Sequence, residues 1–174
     1  KMRIRFSTSN PQDMHLSVLE VIAKHDNICN HIHLPVQSGS NRILKEMNRL
    51  HSREEYMTLI DNIKRVIPDC SITQDMIAGF PTETEDDHQD TLSLMEYVKY
   101  SFGYMYAYSE RPGTLAARRF EDDVSLEVKK RRLQEMIDLH RIQSLKSMQK
   151  DVGKTFKVLV EGTSKKSDDE LFGR

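Results

Sequence analysis

H-L-P-V-Q-S-G-S-N-R-I-L-K-E-M-N, residues 33–48, is the stretch whose reading decides the fold. A short apolar segment stops at small, turn-forming residues and gives way to a polar cap, after which Ile43, Leu44 and Met47 recur at helical spacing. I-A-G-F-P-T-E-T-E, residues 77–85, repeats that grammar. A strand that feeds a helix through a short polar loop is the unit of an α/β fold. At its carboxyl end the free N–H groups of loop and helix face one crevice, which suits anionic or nucleotide-like ligands.

Working outward, residues 3–7 alternate apolar and polar side chains and predict a strand ending near Phe6, followed by the turn S-T-S-N-P. Asn10 is expected to cap a helix with Pro11 at its first position and Met14, Val18, Val21 and Ile22 on its apolar face. The next strand is expected over 32–36, short or irregular because Pro35 cannot donate to a ladder. Ser40 opens a short helix. Ser52 and Glu55 form a capping-box pattern ahead of a longer one that turns Tyr56, Leu59, Ile60, Ile63 and Ile67 inward until Pro68. A third strand spans 71–78, and Thr82 with Glu85 reads as a second capping box before the Leu92, Met95, Val98 stripe. The fourth strand covers 103–108. Ser125 starts the longest helix, through Val128, Leu133, Met136, Ile137 and Leu145 to about Lys150.

Strands and helices therefore alternate four times, which predicts a parallel sheet covered by helices, of barrel or doubly wound type. After Gly153 the pattern changes: Phe156, Val158 and Val160 alternate with Lys157, Leu159 and Glu161 and no helix follows, as in the first strand of a separate β module. Residues 154–174 are too few to bury a core, so the chain is expected to be a piece of a longer protein at its carboxyl end and, opening directly on a strand, at its amino end too.

The 174 residues carry 37% hydrophobic and 30% charged side chains, a net charge of -1 and no tryptophan. No apolar run approaches the roughly 20 residues that cross a bilayer, and the amino end lacks the apolar centre of a secretory signal, so a cytoplasmic protein is expected. Cys29 and Cys70 are too few and too far apart for a cluster motif and read as reduced structural thiols. Charge is uneven: nine Lys/Arg face three acids between Lys129 and Lys157, while residues 82–90 hold five acids and no base. Such a basic segment suits RNA, or simply a solvated helix face.

Several constellations could carry chemistry. Gln37, Ser38, Gly39 and Ser40 offer an amide, hydroxyls and N–H groups, with Gly39 allowing close approach of a ligand; an ordinary turn with a serine cap fits the same residues. Gly79, Phe80 and Pro81 read the same two ways. In the third strand Thr73, Asp75 and Ile77 share a face, and a mid-strand carboxylate such as Asp75 is costly to bury unless paired or liganded. His31 and His33 share a strand face near Cys29, without a second ligand pair at zinc-like spacing, and read as polar strand positions. Tyr104, Tyr106 and Tyr108 share a face of the fourth strand, where packing is the expected role over base stacking. No phosphate-binding P-loop, dinucleotide glycine motif or nucleophile elbow is present.

Four segments in this order, H-L-P-V-Q-S-G-S-N-R-I-L-K-E-M-N-R, D-M-I-A-G-F-P-T-E-T-E-D-D, Y-A-Y-S-E-R-P-G-T-L-A-A and V-L-V-E-G-T-S-K-K-S-D-D-E-L-F-G-R, resemble the radical S-adenosylmethionine methylthiotransferases over essentially the whole chain. The serine-rich turn after Gln37 and the V-E-G-T-S-K-K segment resemble the branch that acts on tRNA, converting isopentenyladenosine beside the anticodon to its 2-methylthio derivative. A related branch modifies an aspartate of a ribosomal protein, and a non-catalytic RNA-binding module is the reading from another class.

The resemblance implies an open, partial TIM-like βα barrel with helices outside over residues 1–150, and the start of a small β-barrel module called TRAM over 151–174. It implies S-adenosylmethionine and two 4Fe–4S clusters in the complete enzyme, one held by a C-x-x-x-C-x-x-C loop. Neither cluster motif occurs in this chain, which by itself is expected to be inert. It further implies that Gln37, Ser38, Thr73, Asp75, Gly79, Phe80, Tyr108 and Ser109 surround the cofactor, and that Arg111, Lys129, Lys130, Lys165 and Lys166 face phosphates of the tRNA anticodon stem-loop. Relatives carry glycine where Thr82 stands.

Overall fold

The computed structural model describes residues 2–7 and 10–173. Three parallel strands, β1 (His31–His33), β2 (Ser71–Ala78) and β3 (Phe102–Ala107), form a sheet in the order β1-β2-β3, with His33 opposite Thr73 and Asp75 opposite Tyr104. Helices α1 (Leu16–Lys24), α2 (Asn41–Glu46), α3 (Arg53–Val66), α4 (Glu85–Val98), α5 (Leu115–Arg119) and α6 (Leu126–Gln149) connect and cover it. Parallel strands need long crossovers, and helices supply them here. The core lies between helices and one sheet face: Ile32, Leu34 and Met76 meet Ile60, Ile63, Leu94 and Met95, all fully buried. The opposite face carries His33, Asp75, Tyr104 and Tyr106, the two tyrosines exposed. This is an α/β architecture of the open-barrel kind.

Pro35 shortens β1 as its missing N–H requires, yet the pairing resumes beyond it: Leu34 N donates to Thr73 O at 2.8 Å and Gln37 N to Asp75 O at 2.9 Å. The Ser52–Glu55 capping box opens α3, Ser40 caps α2 and Ser125 caps α6.

Elsewhere the structure departs from expectation. The first strand reduces to a single bridge between Ile4 and Ile28, and Thr8 and Ser9 of the expected turn lie outside the described residues. Asn10 caps nothing with its side chain: Pro11–Asp13 is one 3-10 turn, and α1 starts at Leu16. The buried face of α1 is Leu19 and Ile22, while Val18 and Val21 are exposed, because α1 packs on α3 from one side only. The second capping box is Thr84 with Asp87; Thr82 instead takes a left-handed φ of 70°, so the helix starts two residues later.

Glycine tolerates that conformation without the Cβ clash that threonine incurs. Thr82→Gly is expected to raise stability by about 0.5–1 kcal/mol, read as a higher urea midpoint at unchanged slope. An unchanged or lower midpoint would show that the hydrogen bond from Arg42 Nη1 to Thr82 Oγ1, 3.1 Å, outweighs the backbone relief.

Helix α6 keeps part of its expected inner face, with Met136 fully buried and Leu133 packed against the core, but the rest of that face differs. Leu145 is 54% exposed, and the buried stripe is Lys129, Arg132, Met136 and His140. The cationic side chains go inward because carboxylates await them, Asp122 for Lys129 and Glu83 for Arg132. The segment after Gly153 also differs, for Phe156 and Val158 lie outside any strand. Strand β4 (Val160–Thr163) pairs antiparallel with β5 (Leu171–Gly173), with a register shift between Val160 and Gly162. This hairpin buries none of its large side chains.

Candidate functional site

The carboxyl ends of β1, β2 and β3 converge on a cavity of about 510 Å³. Ile77 N donates to Gln37 O at 3.0 Å and Tyr108 N to Ala78 O at 2.8 Å, so the backbone ladder runs up to the rim and fixes the height of each lining side chain. Gln37 holds a left-handed φ of 76°, the mark of a position where the surrounding structure overrules local preference. Gln37, Asp75, Tyr108, Ser109 and Arg111 are brought together on this wall, with Ile77, Tyr106 and Ala107 as its apolar part.

The other residues singled out from sequence support the wall from behind. Ser38 is fully buried: its Oγ accepts from Ser40 N at 3.2 Å and lies 3.4 Å from Thr91 Oγ1 on α4. Gly39 approaches α4 where a ligand was expected. Its N donates to Thr91 Oγ1 at 2.9 Å, and a Cβ there would stand 2.5 Å from Asp90 O and Thr91 Cα. Thr73 Oγ1 lies 3.0 Å from His33 Nδ1. Gly79 N donates to Glu83 Oε1 at 2.9 Å, and a Cβ on Gly79 would meet the Lys129 side chain. Phe80 is buried, edge-on to both Tyr108 and Phe120 at 5.2 and 5.7 Å.

Lys129 is likewise internal. At 5% exposure its Nζ donates to Asp122 Oδ1 at 2.6 Å and sits 5.2 Å from the Tyr108 ring, so the ammonium steadies the cavity wall and is not free for a phosphate. Lys130, Arg111, Lys165 and Lys166 are exposed, the last two in the turn between β4 and β5. Tyr104 and Tyr106 were expected to pack, yet each is 53% exposed, their rings 6.5 Å apart and nearly parallel.

Two buried ionic groups hold the loops of the site, and sequence reasoning missed both. Arg132 Nη1 donates to Glu83 O and Oε1, each at 3.0 Å, tying the loop after β2 to α6. Burial pushes the Glu83 carboxyl up, with Gly79 N–H and Arg132 pulling it back toward ionisation. Asp87 accepts from Ser40 Oγ and Thr84 Oγ1, each at 2.6 Å, from Thr84 N at 2.8 Å and from Arg42. Burial works against that carboxylate, but the hydrogen bonds from Arg42, Ser40 and Thr84 outweigh it and hold its pKa far below the ordinary range. The available signal was the acid-rich run 82–90 itself.

Cys29 and Cys70 are both free, and burial pushes the Cys70 thiol up to about 11, which disfavours a thiolate ligand. Among the described residues the three His/Asp/Glu side chains that come within ligand distance of one another are Glu85, His88 and Glu135, with Arg131 paired to both carboxylates. The residues present therefore do not fit a 4Fe–4S cluster.

Consecutive parallel strands with helices outside, and a ligand-sized cavity at their carboxyl ends, make this an α/β protein resembling a βα-barrel fragment, with the strand ends as its candidate site. The family model of the radical SAM superfamily matches residues 1–95. That is more than half of the chain, which belongs to this superfamily. Its members use S-adenosylmethionine and 4Fe–4S clusters. Over all 174 residues the chain is 72% identical to the tRNA-2-methylthio-N(6)-dimethylallyladenosine synthase of Flavobacterium johnsoniae and 67% identical to that of Christiangramia forsetii, covering 36% of each. It thus spans about a third of the length of these relatives. Among solved structures, coproporphyrinogen III oxidase of Escherichia coli superposes with a TM-score of 0.66 at 22% identity, over 81% of this chain and 32% of that one, a likeness of fold. No helix of the described residues is long and apolar enough to cross a membrane.

Proposed function

We propose that this chain is part of a tRNA methylthiotransferase, which adds a 2-methylthio group to isopentenyladenosine beside the anticodon by radical S-adenosylmethionine chemistry. The observation that carries it is 72% identity, sustained end to end, to a relative of that name. Residues 1–150 are then the later part of the partial barrel, and 151–174 the start of the TRAM module that holds tRNA in the cytoplasm. The cavity suits the cofactor: Ile77, Tyr106 and Ala107 offer an apolar wall for adenine, and Gln37, Asp75, Tyr108 and Ser109 offer polar groups for ribose and methionine. Held there by Gln37, Asp75, Tyr108 and Ser109, S-adenosylmethionine would supply the radical chemistry of the complete enzyme, for which the described residues of this chain offer no cluster ligands.

The chain's own part is orientation and exclusion. Phe80, Phe120 and the Lys129 stem back the Tyr108 side of the cavity, while Arg132 and Glu83 fix the loop above it. A nucleobase splayed from the anticodon loop would enter at the rim, where exposed Arg111 waits for a phosphate. Mass spectrometry of tRNA nucleosides tests this in a strain lacking the full-length gene. The 2-methylthio derivative should vanish in the deletion and return on complementation. Persistence in the deletion strain, with methylthiolation lost from a ribosomal protein instead, would overturn it.

A further inference from the structure

We propose that His33 is a positioning residue for the cofactor cavity: it holds the Asp75 carboxylate in the orientation from which that carboxylate accepts a hydrogen bond from the ammonium or ribose hydroxyl of bound S-adenosylmethionine. The inference rests on the cofactor reading above.

Asp75 lies on the cavity wall with its side chain 30% exposed. Its Oδ1 is sealed from solvent and has no hydrogen-bond partner among the described residues. Its Oδ2 stands 3.4 Å from His33 Nε2. Among the described residues, His33 supplies the ion-pair contact of this carboxylate and with it a brake on rotation about the Cβ–Cγ bond, which is soft in aspartate.

That imidazole is anchored on its far side, with Nδ1 3.0 Å from Thr73 Oγ1, and Thr73 is itself 7% exposed. The Thr73 hydroxyl can donate to Nδ1, which is the tautomer that puts a proton on the Nε2 facing Asp75, and the contact holds the ring angle. The register makes the arrangement possible. His33 is opposite Thr73 across the β1–β2 pair, and Asp75 is two residues further on, on the same face. Three side chains on two strands thus form a line from the sheet's half-buried middle to the cavity wall. An acceptor held in place before the ligand arrives binds more tightly than one that must be ordered on binding.

The test uses the full-length, cluster-loaded protein and radiolabelled S-adenosylmethionine in equilibrium dialysis. His33→Ala is expected to weaken binding about tenfold, the lower end of what loss of an orienting partner costs at ligand sites. His33→Gln, whose amide N–H replaces Nε2–H, should recover most of the loss, and Thr73→Val should fall between. Asp75→Asn should lose as much as His33→Ala, and the double variant no more than either alone, since both remove one interaction. The melting temperature without cofactor reads any general loosening, and the stabilisation by added cofactor reads the site alone.

Wild-type affinity in His33→Ala, or losses from His33→Ala and Asp75→Asn that simply add, would overturn the proposal while leaving the cofactor reading intact. A wild-type protein that binds no S-adenosylmethionine would overturn both.

Discussion

Replacing Asp87 with alanine is expected to cost about 3 kcal/mol, a large share of the 5–15 kcal/mol that holds a domain of this size together. At 6% exposure this carboxylate serves two helices at once. It closes the capping box of α4 with Thr84, and it receives the hydroxyl of Ser40, the N-cap of α2. Removal leaves the Ser40 and Thr84 donors without an acceptor, each costing about 1 kcal/mol or more. Arg42, almost half exposed, falls back on water, so its share is the smaller one.

The sign of the pH effect follows from the lowered pKa. The unfolded chain binds this proton near the ordinary aspartate value of about 3.9, whereas the folded protein resists it to well below that, so the Asp87 contribution is complete above about pH 4 and drains away as pH falls further. The gap between the urea midpoints of wild type and Asp87→Ala should narrow, without closing, from neutral pH down to about 3. A constant gap across that range would mean that side-chain volume, and not charge, carries the effect.

Gly39→Ala should lose about as much by a different route. The added methyl would stand 2.5 Å from Asp90 O and Thr91 Cα, both backbone atoms of α4, so no side chain can turn aside. Either α2 and its loop retreat from α4, breaking the Gly39 N–H bond to Thr91, or the overlap persists. Overpacking of this kind costs roughly 1–3 kcal/mol, with about 1 more for the lost hydrogen bond. Because Gln37 sits two residues upstream, the same retreat should weaken cofactor binding in the full-length protein. A Gly39→Ala variant with wild-type midpoint and wild-type affinity would show that the two helices have more freedom than this close approach implies.

The two predictions mark where sequence reasoning reached its limit. Apolar periodicity and local caps were legible: β2 falls at 71–78 as expected, Ser52 with Glu55 opens α3, Ser125 opens α6, and Pro35 interrupts β1. These are decided by neighbours within one turn or one strand. What misled were positions whose partners are set by packing: Thr91 lies 52 residues from Gly39 and Glu83 49 from Arg132, while Asp122, only 7 from Lys129, is brought in by the turn before α6. Gly39 looked like a place for a ligand because the α4 backbone that fills the space is remote in sequence. Lys129 and Arg132 looked like a solvated basic face, because the rule that puts apolar residues inward does not foresee carboxylates waiting in the loops of the strand ends.

The alternation of strands and helices between His31 and Gln149, the parallel sheet it must build and the family resemblance were determined by the sequence of this protein alone, since spacing, caps and motifs act through short stretches of chain. Only the tertiary structure decided that Gln37, Asp75, Tyr108, Ser109 and Arg111 share one cavity while Ser38, Gly39 and Lys129 serve the scaffold behind it. The physical reason is that a buried charge or a missing Cβ takes its meaning from the group opposite, and that group is chosen by packing.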